Sequence, residues 1–284
     1  MKILMIGEFH QEVEKLLNEQ NEVQKISNEE FIQTEKFSDI EVVVLRTFTT
    51  LKEKELEKLP KLKYVISCSV GMDNLDLEML KSNNVELIHC SGTNANSVAE
   101  HTLYLILTTL RKAQPITELK NKTIGIIGLG NIGKLVAEKL MGFKVKIIAF
   151  DILEQEPEVL QKLNVEIKSF DEIIKEAEII TIHVPLNKHT KKLINQAVFT
   201  KMKENTFLIN TARKEIIDEQ ALIKNQNKFL GIALDVYSEN LPQELAIKNL
   251  VTTNHIAAQG KDSFKQMCLS PIKKFLEKVN ENKN

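Results

Sequence analysis

Short apolar segments alternate with amphipathic segments of helix length along most of this chain. Continuous runs of Val, Ile and Leu that are separated by helices are typical of parallel strands buried on both faces. We therefore predict a doubly wound α/β fold. The predicted strands cover residues 2–6, 41–45, 63–67, 86–89, 123–127, 145–150, 164–167, 178–182, 205–209, 229–233 and 249–252.

Two of the predicted helices are longer than the others. The first runs from about Ser97 to Arg111, with Asn96 or Ser97 as its N-cap, and the second covers about 260–279. No internal repeat or low-complexity linker interrupts the pattern. In a chain with two domains, we expect these helices to connect one domain to the other.

Composition narrows the classes of protein that the chain could represent. Its 284 residues are enough for two domains, and its 38 basic residues balance 39 acidic ones. This balance argues against a nucleic-acid partner, and no apolar segment is long enough to predict a membrane span. The N-terminus resembles a first strand rather than a signal peptide, so we expect a cytoplasmic protein.

The cysteines and histidines give no indication of a cross-link or a metal site. Cys68, Cys90 and Cys268 are odd in number and form no C-x-x-C pair, so we expect buried free thiols. The six histidines show no metal-ligand spacing, and we predict no metal. We expect His101, inside a predicted helix, to be packed, and His183 to be structural or at the edge of a cofactor.

A glycine fingerprint directly follows the predicted strand 123–127. It has the G-x-G-x-x-G spacing, a helix-like segment follows it, and it reads Gly128-Leu129-Gly130-Asn131-Ile132-Gly133. Such glycines permit a tight turn and close approach to a pyrophosphate, which a helix N-terminus attracts. Asp151 ends the next strand, where an acid would bind a ribose and repel a 2′-phosphate, so we predict NAD rather than NADP. The alternative is a glycine-rich turn that binds nothing.

Four further motifs identify a family. They are Ser69-Val70-Gly71-Met72-Asp73-Asn74-Leu75-Asp76, Asn94-Ala95-Asn96-Ser97-Val98-Ala99-Glu100-His101, Asn210-Thr211-Ala212-Arg213, and Ala233-Leu234-Asp235-Val236 with Thr253-Asn254-His255-Ile256-Ala257. Together with the fingerprint and His183-Val184-Pro185-Leu186, their order and spacing over residues 41–265 resemble the D-isomer-specific 2-hydroxyacid dehydrogenases.

The resemblance implies an architecture and an activity. It implies two Rossmann-like or flavodoxin-like doubly wound domains, with an NAD-binding domain, 94–258, inserted into a substrate domain made of 1–93 and 259–284. It also implies reversible, D-stereospecific hydride transfer between NAD(H) and a small 2-oxo or 2-hydroxy acid. The expected assembly is a homodimer.

The resemblance further assigns roles to individual residues. Arg213 would bind the substrate carboxylate with its planar guanidinium and polarise the carbonyl, and His255 would be the general acid. Backbone amides of Ser69-Val70-Gly71 would cradle the carboxylate, and Asn94 matches a family asparagine beside the substrate. A surface ion pair for Arg213 and a packed loop position for His255 are the alternatives. Beyond the fingerprint, the predicted cofactor contacts are Asp151, Val184, Pro185, Thr211, Ala212 and Asp235.

The chain departs from the family pattern at the acid that pairs with the histidine. The family places a glutamate five residues after the aspartate that matches Asp235, and here that position is Asn240. We expect Glu239 to take the role through a one-residue deletion, with Asn240 itself or Glu244 as alternatives. Without a charged partner the pKa of His255 would fall, and reduction would need lower pH.

Three other departures affect the surroundings of the site. Lys214-Glu215 follows the arginine where the family has glycine, and Asn254 replaces a proline before the histidine. The segment 112–122 is shorter than in the family, and the chain has no tryptophan. We therefore expect dimerisation through the cofactor domain with a reduced interface.

The substrate is less well determined than the reaction. Phosphoglycerate dehydrogenases tend to carry extra basic residues where this chain has Phe48, Ser67 and Cys68. A small unphosphorylated 2-oxo acid is therefore our first expectation, and D-3-phosphoglycerate dehydrogenase is the alternative. A hypothesis from another class is an NAD(H)-sensing binding protein, similar to a corepressor, on the same scaffold.

Overall fold

The computed structural model describes residues 1–246 and 249–281, so the last three residues of the predicted substrate domain lie outside the described residues. The chain divides into two compact units. Unit 1 comprises Met1–Asn94 and Gly260–Asn284, and unit 2 comprises Ala95–Gln259. Each unit is built around one parallel sheet.

Unit 1 contains a five-stranded sheet. Its strands are β1 (Lys2–Ile6), β2 (Glu22–Ile26), β3 (Val42–Leu45), β4 (Tyr64–Ser67) and β5 (Glu86–His89). Its helices are α1 (Gln11–Asn18), α2 (Asn28–Gln33), α3 (Glu53–Glu57), α4 (Leu77–Ser82) and, from the end of the chain, α12 (Lys261–Glu281). The spatial order β2-β1-β3-β4-β5 is that of flavodoxin-like folds.

Unit 2 contains a seven-stranded sheet. Its strands are β6 (Thr123–Ile127), β7 (Lys146–Phe150), β8 (Val165–Ile167), β9 (Ile179–Ile182), β10 (Thr206–Asn210), β11 (Phe229–Leu234) and β12 (Leu250–Thr252). Its α-helices are α5 (Ala95–Lys112), α6 (Asn131–Leu140), α7 (Pro157–Leu163), α8 (Phe170–Glu176), α9 (Gln196–Lys201), α10 (Glu219–Lys224) and α11 (Leu241–Glu244). Short 3₁₀ helices cover Met141–Phe143, Lys214–Ile216 and Gln226–Lys228.

The order of the unit 2 sheet is that of a dinucleotide-binding fold. The sheet reads β12-β11-β10-β9-β6-β7-β8, so the strand order reverses between β6 and β9. Ligands of open α/β sheets bind outside the carboxyl ends of the strands at such a switch point. The fingerprint glycines follow β6 and therefore lie at this position.

Apolar side chains on both faces of each central strand build the cores. All four residues of β3 and all four of β9 are buried. The long helix α5 buries Leu105, Ile106 and Leu110 and lies against β10, β11 and β12. Helix α8 packs so closely on β6 that a Cβ at Gly125 would come within 2.7 Å of the Ile173 side chain. Close packing of this kind fixes the strand ends that carry the candidate site.

The predicted doubly wound α/β fold is confirmed, and one strand was missed. Strand β2 has the sequence Glu-Val-Gln-Lys-Ile and no fully buried residue, since it lies at the edge of the unit 1 sheet. An edge strand needs only one paired side, so it shows no continuous apolar run. Among the described residues, none of the helices combines the length and apolar character needed to cross a membrane.

Candidate active site

The predicted site residues of unit 2 follow the carboxyl ends of successive strands. The fingerprint follows β6, Asp151 follows β7, Val184-Pro185 follows β9, and Thr211-Ala212-Arg213 follows β10. Asp235 comes directly after β11, and His255 lies in the turn after β12. Because all these strands are parallel, these turns share one edge of the sheet.

The backbone around Gly128 and Gly133 leaves no room for a side chain, whereas Gly130 borders open space. Gly128 has φ +97°, and a Cβ there would lie 2.8 Å from the backbone carbonyl group of His183. A Cβ at Gly133 would collide with the Gly128 carbonyl oxygen. A Cβ at Gly130 would meet nothing within 4 Å, so this glycine leaves open space beside the start of α6. The geometry fits a pyrophosphate that approaches the backbone closely.

Asp151 is joined to the fingerprint turn. Its Oδ2 accepts a hydrogen bond from the Leu129 amide at 2.6 Å, and its Oδ1 accepts one from the Leu153 amide at 2.9 Å. The carboxylate is therefore held beside the glycine turn, at the end of the neighbouring strand. This is the position at which an acid in a dinucleotide fold accepts bonds from a ribose.

The turn after β9 contains a half-buried histidine whose ring is largely shielded from water. His183 Nε2 lies 2.9 Å from Thr181 Oγ1, and its Nδ1 is buried without a hydrogen-bond partner among the described residues. Burial lowers the pKa of His183 from 6.5 to about 3. The ring is therefore neutral at physiological pH, in agreement with a structural or cofactor-edge residue rather than an acid catalyst.

A buried asparagine shapes the turn that carries Arg213. Asn210 ends β10 and is fully buried. Its amide group donates to the Arg213 carbonyl oxygen at 2.9 Å, and its side-chain oxygen accepts from the Ala212 amide at 3.0 Å. The half-buried guanidinium of Arg213 donates to the Ala212 carbonyl oxygen at 2.8 Å. The asparagine side chain thus holds the backbone of Ala212 and Arg213 in one turn.

Asp235 anchors the turn that carries His255. Its carboxylate accepts hydrogen bonds from the Thr253 hydroxyl at 2.6 Å, from the Ile256 amide at 2.9 Å and from the Ala257 amide at 3.0 Å. The His255 amide donates to the Asp235 carbonyl oxygen at 2.8 Å. One aspartate therefore holds the backbone on both sides of the histidine.

The surroundings of the Asp235 carboxylate keep it ionised. Burial alone would raise the pKa of Asp235, which is only 1% exposed. Hydrogen bonds from His101, Thr253 and the amides of Ile256 and Ala257 outweigh the burial, and the pKa is lowered. The sequence predicted that this side chain contacts the cofactor. In the structure, the hydrogen-bond partners of the carboxylate are residues of unit 2 itself.

The departures from the family pattern have structural counterparts. Asn254 accepts a hydrogen bond at its Oδ1 from the Tyr237 hydroxyl, with 2.8 Å between the oxygens. The turn before His255 is thus tied to the residues after β11, although it lacks the proline. Glu239, Asn240 and Glu244 are all exposed, so burial does not distinguish between the candidate acids.

In unit 1 the predicted substrate residues lie beyond the end of β4 and close to the end of the first chain segment. Ser69 is buried, and Val70 and Gly71 are half-buried. Ser69 Oγ and Asn94 Oδ1 are buried without a hydrogen-bond partner among the described residues. Buried polar atoms are usually bonded, so these two unpaired atoms can each accept a further hydrogen bond.

Two unit 1 residues were not among the predicted site residues. The Asn74 amide group donates to the Thr49 carbonyl oxygen at 2.7 Å and so ties the turn after β4 to the turn after β3. The guanidinium of Arg46 lies over the Phe264 ring at 4.8 Å, and its Nε is buried without a partner among the described residues. A basic residue directly after an all-apolar strand was the available signal for Arg46. Asn74 lies within the first family motif, but the sequence gave it no role of its own.

The described residues do not bring three or more His, Cys, Asp or Glu side chains together as metal ligands. The fingerprint residues, in contrast, fit a dinucleotide on two independent grounds. The turn has space where a Cβ at Gly130 would stand, and an acceptor carboxylate lies beside it at Asp151. The fingerprint turn of unit 2 therefore has the space and the acceptor that a dinucleotide needs.

The lowered pKa of His183 should make stability depend on pH. Its pKa is about 3 in the folded protein and about 6.5 when unfolded, so between these values only the unfolded chain takes up the proton. Stability should fall as pH drops below 6.5, with a slope that approaches about 1.4 kcal/mol per pH unit. Denaturant unfolding at pH 7, 6 and 5 would measure it.

His183→Gln should remove this part of the pH dependence. His189 is exposed on the same loop, so His189→Gln is the matched control and should keep the wild-type slope. Equal slopes for the wild type and His183→Gln would contradict the assignment of a neutral buried ring.

Comparison with known proteins agrees with this geometry. Residues 93–257 match the family model described as "D-isomer specific 2-hydroxyacid dehydrogenase, NAD binding domain". Hydroxypyruvate reductase of Thermotoga maritima is 31% identical over 265 residues, which cover 85% of each chain. D-3-phosphoglycerate dehydrogenase of Methanocaldococcus jannaschii is 32% identical, and the match covers 93% of this chain and 55% of that protein. The chain therefore spans about half the length of that relative.

A solved structure shows the same fold over the whole chain. D-lactate dehydrogenase from Aquifex aeolicus, complexed with NAD and lactic acid, has a TM-score of 0.86 and 26% identity. The similarity covers 98% of this chain and 96% of that one. The resemblance seen in the motifs is therefore confirmed, and this chain belongs to the D-isomer-specific 2-hydroxyacid dehydrogenase family.

Proposed function

We propose that this protein is an NAD-dependent oxidoreductase that interconverts a small 2-oxo acid and the D-2-hydroxy acid. The observation that carries the proposal is the arrangement of unit 2. An arginine and a histidine follow β10 and β12 of an NAD-binding domain, and buried side chains hold both turns. When bound, NADH supplies the hydride for the reduction.

Each of these two residues has a chemical task. Arg213 binds the substrate carboxylate, because its planar guanidinium offers paired donors and keeps its charge. It also polarises the carbonyl that is reduced. His255 donates a proton to the carbonyl oxygen in reduction and accepts it in oxidation, since imidazole titrates near neutral pH.

The two units divide the work. We assign cofactor binding to unit 2, with Asn131, Ile132, Thr211 and Ala212 among its contacts, and assign to unit 1 the substrate contacts other than Arg213. The buried unpaired Ser69 Oγ supports this assignment, as does the buried unpaired Asn94 Oδ1. The amides of Ser69-Val70-Gly71 bind the carboxylate of the substrate.

The cofactor is NAD rather than NADP in this proposal. The Asp151 carboxylate, held beside the glycine turn, accepts hydrogen bonds from a ribose and repels a 2′-phosphate. The Aquifex relative was solved with NAD and lactic acid, which supports both the cofactor and the class of substrate. The balanced charge and the free cysteines suit a cytoplasmic enzyme.

Turnover with a panel of 2-oxo acids tests the proposal. The panel contains pyruvate, glyoxylate, hydroxypyruvate and phosphohydroxypyruvate, because relatives are named for both plain and phosphorylated substrates. His255→Gln should lower kcat by about 10²- to 10⁴-fold. Arg213→Gln should weaken substrate use by about 2–5 kcal/mol.

The exposed neighbour Lys214 gives the matched control, and Lys214→Ala should keep wild-type kinetics. The same assays with NADPH in place of NADH test the choice of cofactor. An equal kcat/KM with NADPH would contradict the role of Asp151. NADH binding without turnover on any 2-oxo acid would refute the enzyme and favour an NAD(H)-sensing binding protein.

Gly130→Ala tests the fingerprint itself. The added methyl meets no protein atom within 4 Å, and φ is −79°, so the variant should fold normally. A pyrophosphate that approaches this backbone would be overpacked at a cost of about 1–3 kcal/mol. The Kd for NADH, measured by calorimetry, should rise about 5- to 150-fold. Gly142→Ala also adds a methyl in open space, and an equal loss of affinity there would contradict the site.

The acid that pairs with His255 is proposed to be Glu239. A carboxylate partner raises the pKa of the histidine, and reduction needs the protonated ring. Glu239→Gln should therefore move the alkaline limit of kcat/KM for reduction to lower pH by about one unit or more. Glu244→Gln is the matched comparison, and a shift confined to that variant would transfer the role to Glu244.

We also propose a homodimer formed through unit 2. Tyr104, Ile116 and Met141 are large exposed apolar residues of this unit, and a cavity of about 370 Å³ lies beside Leu107 and Phe143. Light scattering should give twice the mass of one chain. Ile116→Asp should shift the population to monomer, whereas Ile32→Asp on the exposed surface of unit 1 should not. A monomeric wild type would refute the dimer.

A further inference from the structure

One face of α5 contacts the turns that follow β10 and β12. The Ser97 hydroxyl donates to the Ala257 carbonyl oxygen at 2.7 Å, and Thr102 Oγ1 lies 3.1 Å from Thr211 Oγ1. His101 is four residues after Ser97 and so lies on the same face of the helix. Its ring is mostly buried, and its Nε2 lies 2.9 Å from Thr253 Oγ1.

The hydrogen bonds of this cluster run in one direction. The ionised Asp235 only accepts, so Thr253 uses its proton on Asp235 Oδ1. The Thr253 oxygen is then free to accept from His101, whose Nε2 also lies 3.5 Å from Asp235 Oδ1. His101 therefore carries its proton on Nε2, and the chain of donors is His101 to Thr253 to Asp235.

The turn that receives these bonds needs support from outside. His255 has φ +53°, in the left-handed region that a residue with a Cβ rarely adopts. The bonds to Asp235 begin at Thr253, before the histidine, and continue at Ile256 and Ala257, after it. Without the anchor at Thr253, the chain before His255 would lose its side-chain link to Asp235.

We propose that His101 is a positioning residue for His255: its Nε2–H holds the Thr253 hydroxyl on Asp235 and thereby fixes the turn that presents His255. The inference rests on the proposed function, because it takes His255 as the group that transfers the proton. It gives His101 a part in the reaction, whereas the sequence indicated only packing. A small displacement of a proton donor is costly, since misplacement by about 1 Å can lower a rate about a hundredfold.

Four variants test the proposal in pairs. Thr253→Val and His101→Leu remove a donor but keep much of the shape, whereas Thr253→Ser and His101→Gln keep a donor. Thr109→Val is the matched control, because among the described residues this buried hydroxyl bonds only to the Leu105 carbonyl oxygen of its own helix. The readouts are amide hydrogen exchange of the substrate-free protein and the kinetic constants of reduction.

We expect faster exchange over residues 253–257 in Thr253→Val and His101→Leu, and unchanged exchange over β6. In the same two variants kcat should fall about 10- to 100-fold, while the KM for NADH stays within about twofold. Thr253→Ser and His101→Gln should recover most of both properties.

Unchanged exchange, or the same changes in Thr109→Val, would overturn the proposal. Fast exchange together with wild-type kcat would overturn it as well, because the order of the turn would then not serve catalysis. If the wild type turns over no 2-oxo acid, the proposed function fails. The exchange data, which need no substrate, would still decide whether His101 fixes the turn.

Discussion

Parallel pairing is the constraint from which the site of unit 2 follows. Every strand of the seven-stranded sheet runs in the same direction, so the chain must return through a crossover after each strand. The turns that follow the carboxyl ends are thereby collected at one edge. The glycine turn, the Arg213 turn and the His255 turn come from distant parts of the sequence, and the sheet alone brings them to this edge.

Buried polar side chains at the strand ends then define the turns more finely. Asn210 bonds the Ala212 amide and the Arg213 carbonyl oxygen. Asp235 bonds the Thr253 hydroxyl before His255 and the Ala257 amide after it. Asn74 does the same between two turns of unit 1. A buried polar group without partners is costly, so the carboxylate of Asp235 and the amide groups of Asn210 and Asn74 favour the turn conformations that give them partners. The fold thus prepares its site before any ligand binds.

Asn254 stands before His255 where the resemblance implied a proline, and other interactions must therefore restrict this turn. Proline would restrict the backbone directly, whereas here the turn holds a left-handed His255 with asparagine before it. The Tyr237 hydroxyl bonds Asn254, and Asp235 bonds the residues around it. Side-chain hydrogen bonds therefore restrict this turn at the position where the resemblance implied a proline.

Many features of this protein could be predicted from sequence because they are local. The apolar runs predict every strand except β2, whose edge position leaves its side chains exposed. The fingerprint predicts its own turn, since spacing, strand and helix are adjacent in the chain. The motifs predict the family, because their order is a property of the sequence.

The partners of the site residues could not be predicted in this way. Ser97 and Ala257 are 160 positions apart, and His101 and Thr253 are 152 positions apart. Nothing in the local sequence of α5 shows that it will pack against the ends of β10 to β12. The sequence by itself determined the strands, the glycine turn and the family. Only the tertiary structure decided which side chains hold the Arg213 and His255 turns, because hydrogen bonds between distant segments exist only once the sheet has assembled.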